Sequence, residues 1–326
     1  MATAFNPATA DWNLLRALVA VLAFAEAGWA VIAQLRQAPR APLPAGVQQV
    51  QADALDVTTL ARAAQGAQVI VNALNPDYTQ WARLLPPLTA AAIELAAATG
   101  ALLMLPGNVY NYGNSLPAVL QDDTPFAATH PKAVQRIALE ASLVQAAQHR
   151  GVRSIVIRAG DFLGNAGTWI DLAIGKGLAQ GKFVQMGPAD LPHAWAWLPD
   201  LAQVFVAVAA RRTQLAPFAA LNYAGITLTG AELQAAFEAA LGQSLRRSAF
   251  PWPLIRLAAL VAAMPRALVE MRYLWQRPHR LDGQRLQALL GAGMPATPLA
   301  EVVRQCLAGL PQPTVAPVRT GTHPAH

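Results

Sequence analysis

QVIVNALNPDYTQWARLLPPLTAAAIELAAATGALLML, residues 68–105, holds the pattern that decides the fold. It opens on a nearly unbroken apolar run, Gln68 to Leu74, short enough for a strand and too apolar for a half-solvated one. A helix follows from Gln80 to Thr99, stopped by Gly100, with Pro86-Pro87 expected to disturb its first half. Ala101 to Leu105 is a second apolar strand. Strand, helix and strand at this spacing make a βαβ unit, whose two strands are parallel and covered on both faces.

The same rhythm extends both ways. Upstream, Ala17 to Ala33 is apolar apart from Glu26 and is interrupted at Gly28-Trp29. Seventeen residues is short for a membrane span and a mid-span carboxylate is costly, so a buried helix and then a strand, Ala30 to Leu35, is expected. Val47 to Ala54 reads as another strand ending near Asp53, and Val57 to Gln65 as a short helix closed by Gly66. Downstream, Pro131 to Arg150 is a long helix with proline in its first turn, and Ser154 to Ile157 a further strand. Right-handed crossovers then give an α/β, Rossmann-like, doubly wound parallel sheet. Ligands of such sheets sit at the carboxyl ends of the strands. That gathers Asp53, Leu74-Asn75-Pro76, Pro106-Gly107-Asn108 and Ala159-Gly160-Asp161 around one crevice.

After residue 164 the rhythm breaks into glycine-rich loops, short strands and separate helices, with Trp195, Trp197, Trp252, Tyr273 and Trp275 close in sequence. The expected organisation is a Rossmann-like nucleotide-binding core over 1–164, core completion with a smaller substrate lobe over 165–310, and a loose tail over 311–326. Glu270 to Trp275 reads as an amphipathic helix with an aromatic stripe, serving core packing, a substrate wall or a homodimer face.

Composition narrows the function classes. The 326 residues are 54% hydrophobic and 13% charged, which excludes a disordered chain. A single cysteine, Cys306, excludes a disulfide framework. The net charge of +6 comes from scattered arginines, not one basic element, so no nucleic-acid partner is expected. The six histidines show no metal-ligand spacing, so no metal is expected. A cytoplasmic protein without a membrane partner is the resulting expectation.

Five segments in order resemble the extended short-chain dehydrogenase/reductases of the NAD-dependent epimerase/dehydratase type. They are Gly46 to Asp56, Val69 to Pro76, Val109-Tyr110-Asn111-Tyr112-Gly113, Arg158 to Gly164, and Trp197 to Ala202. The resemblance covers about residues 28 to 305. It implies an NAD or NADP cofactor, with Asp53 and Ala54 against the adenine and Leu74, Asn75, Ala159 and Gly160 beside the dinucleotide. It matches Asn6 to Asn13 to the phosphate-binding turn, with Ala8 and Thr9 as the contacts. That segment departs from the pattern, because no glycine precedes Gly28. Arg36, after the second strand, would meet the 2′-phosphate of NADP.

The resemblance also implies a Tyr-x-x-x-Lys pair. Lys132 stands at the lysine position, where the resemblance implies that it holds the nicotinamide ribose, but the tyrosine position is Ala128. Tyr110 and Tyr112 are the substitutes for the missing proton carrier, with His130 a further acid/base candidate. Asn108, Asp161, Phe162, His193 and Trp195 fall where the family contacts substrate. The implied activity is an NAD(P)-dependent epimerase, dehydratase or reductase acting on a small hydroxyl-bearing metabolite or sugar nucleotide. A non-catalytic, ligand-sensing or scaffold protein of the same fold is the alternative.

Overall fold

The structure, a computed structural model, describes residues 12–37, 43–164 and 167–310. Ala8, Thr9 and the tail 311–326 lie outside the described residues.

The strands are β1 Ile32–Leu35, β2 Gln48–Gln51, β3 Val69–Val71, β4 Leu102–Gly107, β5 Val119–Leu120, β6 Ser154–Arg158, β7 Asp161–Leu163, β8 Lys182–Gln185, β9 Pro192–Trp197, β10 Phe218–Asn222, β11 Ile226–Thr229, β12 Arg246–Ala249 and β13 Arg280–Leu281. The helices are α1 Trp12–Glu26, α2 Val57–Ala63, α3 Trp81–Thr99, α4 Pro131–Arg150, α5 Trp169–Leu172, α6 Leu198–Ala210, α7 Gly230–Leu241, α8 Trp252–Ala258, α9 Ala263–Glu270, α10 Gln284–Leu290 and α11 Leu299–Gly309.

The central sheet runs β10-β6-β4-β3, all parallel, and β1-β2 form a second parallel pair. Side chains alternate across it as the pleat requires. Leu103, Leu105 and Val156 face α3 and α4, while Leu102, Met104, Ile155 and Ile157 face Phe24 of α1, the α6 residues Leu201, Val204 and Phe205, and α10. Both faces are dry, which is why these strands read as continuous apolar runs. A third cluster packs around Trp195, Trp197, Trp252, Trp275 and Phe237.

The ends of the strands differ from the sequence reading for local reasons. β3 stops at Val71 because the Asn72 side chain turns the chain, its Oδ1 accepting from the Leu74 N–H at 3.1 Å. β4 runs on through Pro106 and Gly107, which pair with Ile157 and Arg158. Gly107 is required there, since a Cβ would lie 2.7 Å from Val156 Cγ1 and 2.8 Å from Arg158 Cγ. α3 passes unbroken through Pro86 and Pro87. The carbonyls those prolines cannot serve belong to Ala82 and Arg83, both exposed, so water can satisfy them. α4 occupies Pro131–Arg150 as the sequence predicts, capped by left-handed Gly151. Met271–Trp275 is a 3-10 turn continuing α9, not a helix of its own.

Candidate active site

The tips of β3, β4 and β6 open into a cavity of about 660 Å³. Leu74, Asn75, Pro76, Pro106, Gly107, Asn108, Ala159, Gly160 and Asp161 all line it, as do Tyr110 and Phe162. The crevice expected from strand order therefore exists, and it is of the size that small ligands and cofactors occupy. Ala20 of α1, Phe205 of α6, Phe250 after β12, and Met264 and Leu268 of α9 also line it. Aliphatic and aromatic side chains form most of the wall.

Asp53, Ala54 and Arg36 are not in that wall. Arg36 is exposed beyond the end of β1, and Asp53 follows the neighbouring β2 with its Oδ1 accepting from the Leu55 N–H at 2.9 Å. The two sit at the ends of paired strands, outside the cavity.

Of the tyrosines at the tip of β4, only Tyr110 faces the cavity. Both belong to the short 3-10 turn Tyr110–Tyr112. Asn108 starts this turn, its Oδ1 accepting from the Tyr110 N–H at 3.0 Å. The Tyr110 hydroxyl lies 2.6 Å from that of Tyr78, on the loop beyond β3. Burial, then the neighbouring Tyr78 and the Asp161 charge, push the Tyr110 phenol well above its ordinary range. Tyr110 is thus a firmly protonated donor at neutral pH.

Tyr112 points the other way. Its hydroxyl accepts from Arg158 Nη1 at 3.2 Å and its ring packs on Phe126. Arg158 and Glu140 form a buried ion pair at 2.7 Å, and Asn111 Nδ2 donates to the same carboxylate at 2.8 Å. This network ties α4 and β6 to the turn that carries Tyr110.

Lys132 is buried in an ion pair with Glu270, Nζ to Oε2 at 2.6 Å. Its backbone N–H also donates to Glu270 Oε1 at 3.0 Å. His130 Nδ1 lies 3.2 Å from the same oxygen and its Nε2 lies 3.1 Å from the Tyr273 hydroxyl. His130 also caps α4, its Nδ1 accepting from the Ala133 N–H at 3.3 Å, so the ring joins the start of the helix to Glu270 and Tyr273. Burial alone would raise the Glu270 carboxyl, but hydrogen bonds from His130 and Lys132 outweigh it and hold it at about 2. The lysine does not line the cavity, yet its Nζ is 5.5 Å from the centre of the Tyr78 ring. Ala128 is exposed.

Two carboxylates line the cavity: Asp77, whose Oδ1 accepts from the Thr79 N–H at 3.0 Å, and Asp161, held from behind by His193 Nε2 at 2.9 Å from Oδ2. The His193 ring stacks on Trp275 at 4.3 Å, and touches Trp195 at 4.7 Å and His279 at 4.6 Å. His193 and Trp195 thus support Asp161 and do not touch the cavity. Burial, and then His193, push the His279 imidazole down to about 4. Burial, then Asp161 and Glu270, push the Tyr273 phenol up. Among the described residues no group of three histidine, cysteine or carboxylate side chains is placed to hold a metal ion.

Sequence reasoning missed Tyr78, Arg136 and Glu270. Arg136 lines the cavity with its guanidinium 4.7 Å from the Trp81 ring. Tyr78 left one signal, a polar-tipped aromatic two residues beyond the Asn75-Pro76 tip. Glu270 left none, being 138 residues from the lysine it pairs with.

No protein-family profile matches the chain, and no curated protein matches its sequence. Solved structures do match. The GalE-like L-threonine dehydrogenase from Cupriavidus necator is 17% identical, with a TM-score of 0.70 over 93% of this chain and 97% of that one. UDP-glucose 4-epimerase from Brucella ovis, in complex with NAD, is 14% identical, with a TM-score of 0.69 over 90% and 94%. MoeE5, in complex with UDP-glucuronic acid and NAD, is 16% identical, with a TM-score of 0.66 over 89% and 93%. The fold is therefore the Rossmann fold of the extended short-chain dehydrogenase/reductases. That fold is shared with the GalE-like dehydrogenase and the NAD-bound epimerase.

Proposed function

We propose that the chain is a reductase-like or epimerase-like enzyme of this fold, using NAD or NADP on a small molecule with one hydroxyl or carbonyl carbon at the reacting position. The observation that carries the reading is the Tyr110 hydroxyl, hydrogen-bonded to Tyr78 at 2.6 Å in the wall of the strand-tip cavity that Asp161 also lines.

The described wall fits the nicotinamide end of such a cofactor in volume and in its donors, with Asn75, Pro106, Gly107 and Ala159 as the residues that would hold it. The bound nucleotide supplies the hydride. Its phosphates are matched to Ala8 and Thr9, outside the described residues; Arg136, over the Trp81 ring, is the one cation of the described wall. Arg36 and Asp53 remain candidates for an adenine-ribose end reaching past the cavity.

The protein's own part is proton delivery. Tyr110, kept protonated by burial and by its neighbours, donates to the substrate oxygen when a carbonyl is reduced. Tyr78 is half-buried and returns a proton to Tyr110 from solvent. Lys132 acts at one remove, paired with Glu270 and with its ammonium 5.5 Å from the centre of the Tyr78 ring, where it helps to position that side chain. Asp161, braced by His193, orients the substrate through a second hydroxyl. The apolar remainder of the wall suits a substrate whose body is less polar than a free sugar.

A second reading is favoured by one observation: Lys132 is committed to Glu270, and the tyrosine position is Ala128. A protein that binds a nucleotide or metabolite without turning it over would have the same geometry. Titration of NADH and NADPH, read by quenching of Trp81 and Trp169 in the cavity wall, tests the first reading. Saturation below about 0.1 mM, within the ordinary enzyme range, supports it, and turnover with a carbonyl panel separates it from the second. The absence of binding by either nucleotide would refute it.

A further inference from the structure

The helical hairpin α8–α9 carries the most exposed apolar side chains of the described chain. Leu254, Leu257, Leu260 and Val261 are 67%, 66%, 74% and 90% exposed. At 90%, Val261 stands clear of its surroundings, so this is a protruding tip and not a flat face. The base of the hairpin is firmly held. Trp252 is buried, its Nε1 donates to Met186 O at 2.7 Å, and Arg272 lies 5.5 Å from its ring. A rigid base beneath four uncovered aliphatic side chains is a costly arrangement in water.

Charge points to the occupant. From Ala239 to Val269 the chain has no aspartate or glutamate, but has Arg246, Arg247, Arg256 and Arg266, all exposed. An apolar tip flanked by cations, with no carboxylate in its own stretch of chain, matches the anionic headgroup layer of a bilayer, where each arginine and each buried aliphatic group adds to the binding. A second copy of this chain fits poorly. Two narrow tips bury little area against each other, and each brings the same positive charge. Among the described residues no helix is long and apolar enough to cross a membrane, so the contact lies in the interface.

We propose that the α8–α9 tip docks the protein peripherally on anionic lipid surfaces, with Leu257, Leu260 and Val261 entering the headgroup layer and Arg256 and Arg266 pairing with lipid phosphates. The docking does not depend on what the cavity holds. It does set the cavity beside the bilayer, because Met264 and Leu268 of α9 belong to the cavity wall.

The test is co-sedimentation of the full chain with vesicles of phosphatidylglycerol and phosphatidylcholine, and with phosphatidylcholine alone. The expected result is binding that needs the anionic lipid, weakens in high salt, and falls at least about tenfold in Leu260→Ser/Val261→Ser. Arg256→Gln/Arg266→Gln should weaken binding to the anionic vesicles only. These side chains are solvent-exposed, so the variants should keep the wild-type melting temperature, and Leu254→Ser/Leu257→Ser is an independent second pair. Absence of vesicle binding overturns the proposal, as does binding that both serine pairs leave unchanged. Loss of a dimer in the serine variants, measured by light scattering without lipid, would reassign the tip to self-association and overturn it equally.

Discussion

The Tyr78–Tyr110 pair is the smallest unit on which the functional reading turns. Tyr110→Phe keeps the ring that packs beside Trp81, 6.1 Å centre to centre, and removes only the hydroxyl. The expected outcome is a normal fold, unchanged nucleotide affinity, and a loss in kcat of about 100-fold or more, the usual range for a general acid. Tyr78→Phe should cost less, about tenfold, because water can replace a half-buried relay group. Equal losses in kcat and in nucleotide affinity would make the pair structural. Lys132 behaves differently. Lys132→Met leaves the Glu270 carboxylate without its cation, and should lower stability by about 3 kcal/mol. The double variant Lys132→Met/Glu270→Leu should recover part of that loss, which urea unfolding would measure. Little of this was legible beforehand. The lysine could be singled out only through the family resemblance, and Tyr110 through that resemblance and its place after a strand tip, together with Tyr112. That Tyr110 and not Tyr112 faces the cavity depends on Arg158 and Phe126 holding Tyr112 on the other side. No spacing rule conveys a partner chosen that far along the chain.

At the scale of elements, apolar runs and glycine stops carried most of the fold. They could be read because β3, β4 and β6 are buried on both faces, and because helices such as α3 and α4 end on glycines with positive φ, Gly100 and Gly151. The stretch beyond residue 164 was harder, since its strands pair with distant partners: β12 lies beside β8, and β13 beside β5. One junction ties the two parts together. At Gly160, between β6 and β7, a Cβ would lie 2.2 Å from the carbonyl oxygen of Ala194 in β9. That contact is with backbone, which cannot swing aside as a side-chain tip could. Gly160→Ala should therefore push β7 from β9, move Asp161, and cost at least about 2 kcal/mol. A melting temperature unchanged within error in that variant would show that the β7–β9 pair absorbs the added methyl. Gly151→Ala is the calibrating control, with open space around its Cβ and only the left-handed conformation to strain, expected to cost about 1 kcal/mol.

At the scale of the whole molecule, stability should depend on pH through His279, which is almost wholly buried where the lobe meets Asp161 and His193. Its imidazole titrates at about 4 in the folded chain against an ordinary 6.5, because burial, then the neighbouring His193, disfavour the charged form. In the unfolded chain it takes a proton near 6.5, so below that pH the unfolded state binds more protons and gains relative to the folded one. The contribution is present in full above pH 6.5 and is lost as pH falls towards 4, reaching about 3 kcal/mol at most. Glu270, held at about 2, adds a second loss with its own window: complete above about 4.5, and declining as pH falls towards 2. Two separable declines are therefore expected in unfolding free energy measured by urea between pH 8 and pH 3. His279→Gln should flatten the upper one and leave the lower one in place, whereas Glu270→Gln should do the reverse. A profile with no slope between pH 6.5 and 4 in the parent protein would mean that His279 reaches water in solution, and that the packing of His193 and Trp275 behind Asp161 is looser than described.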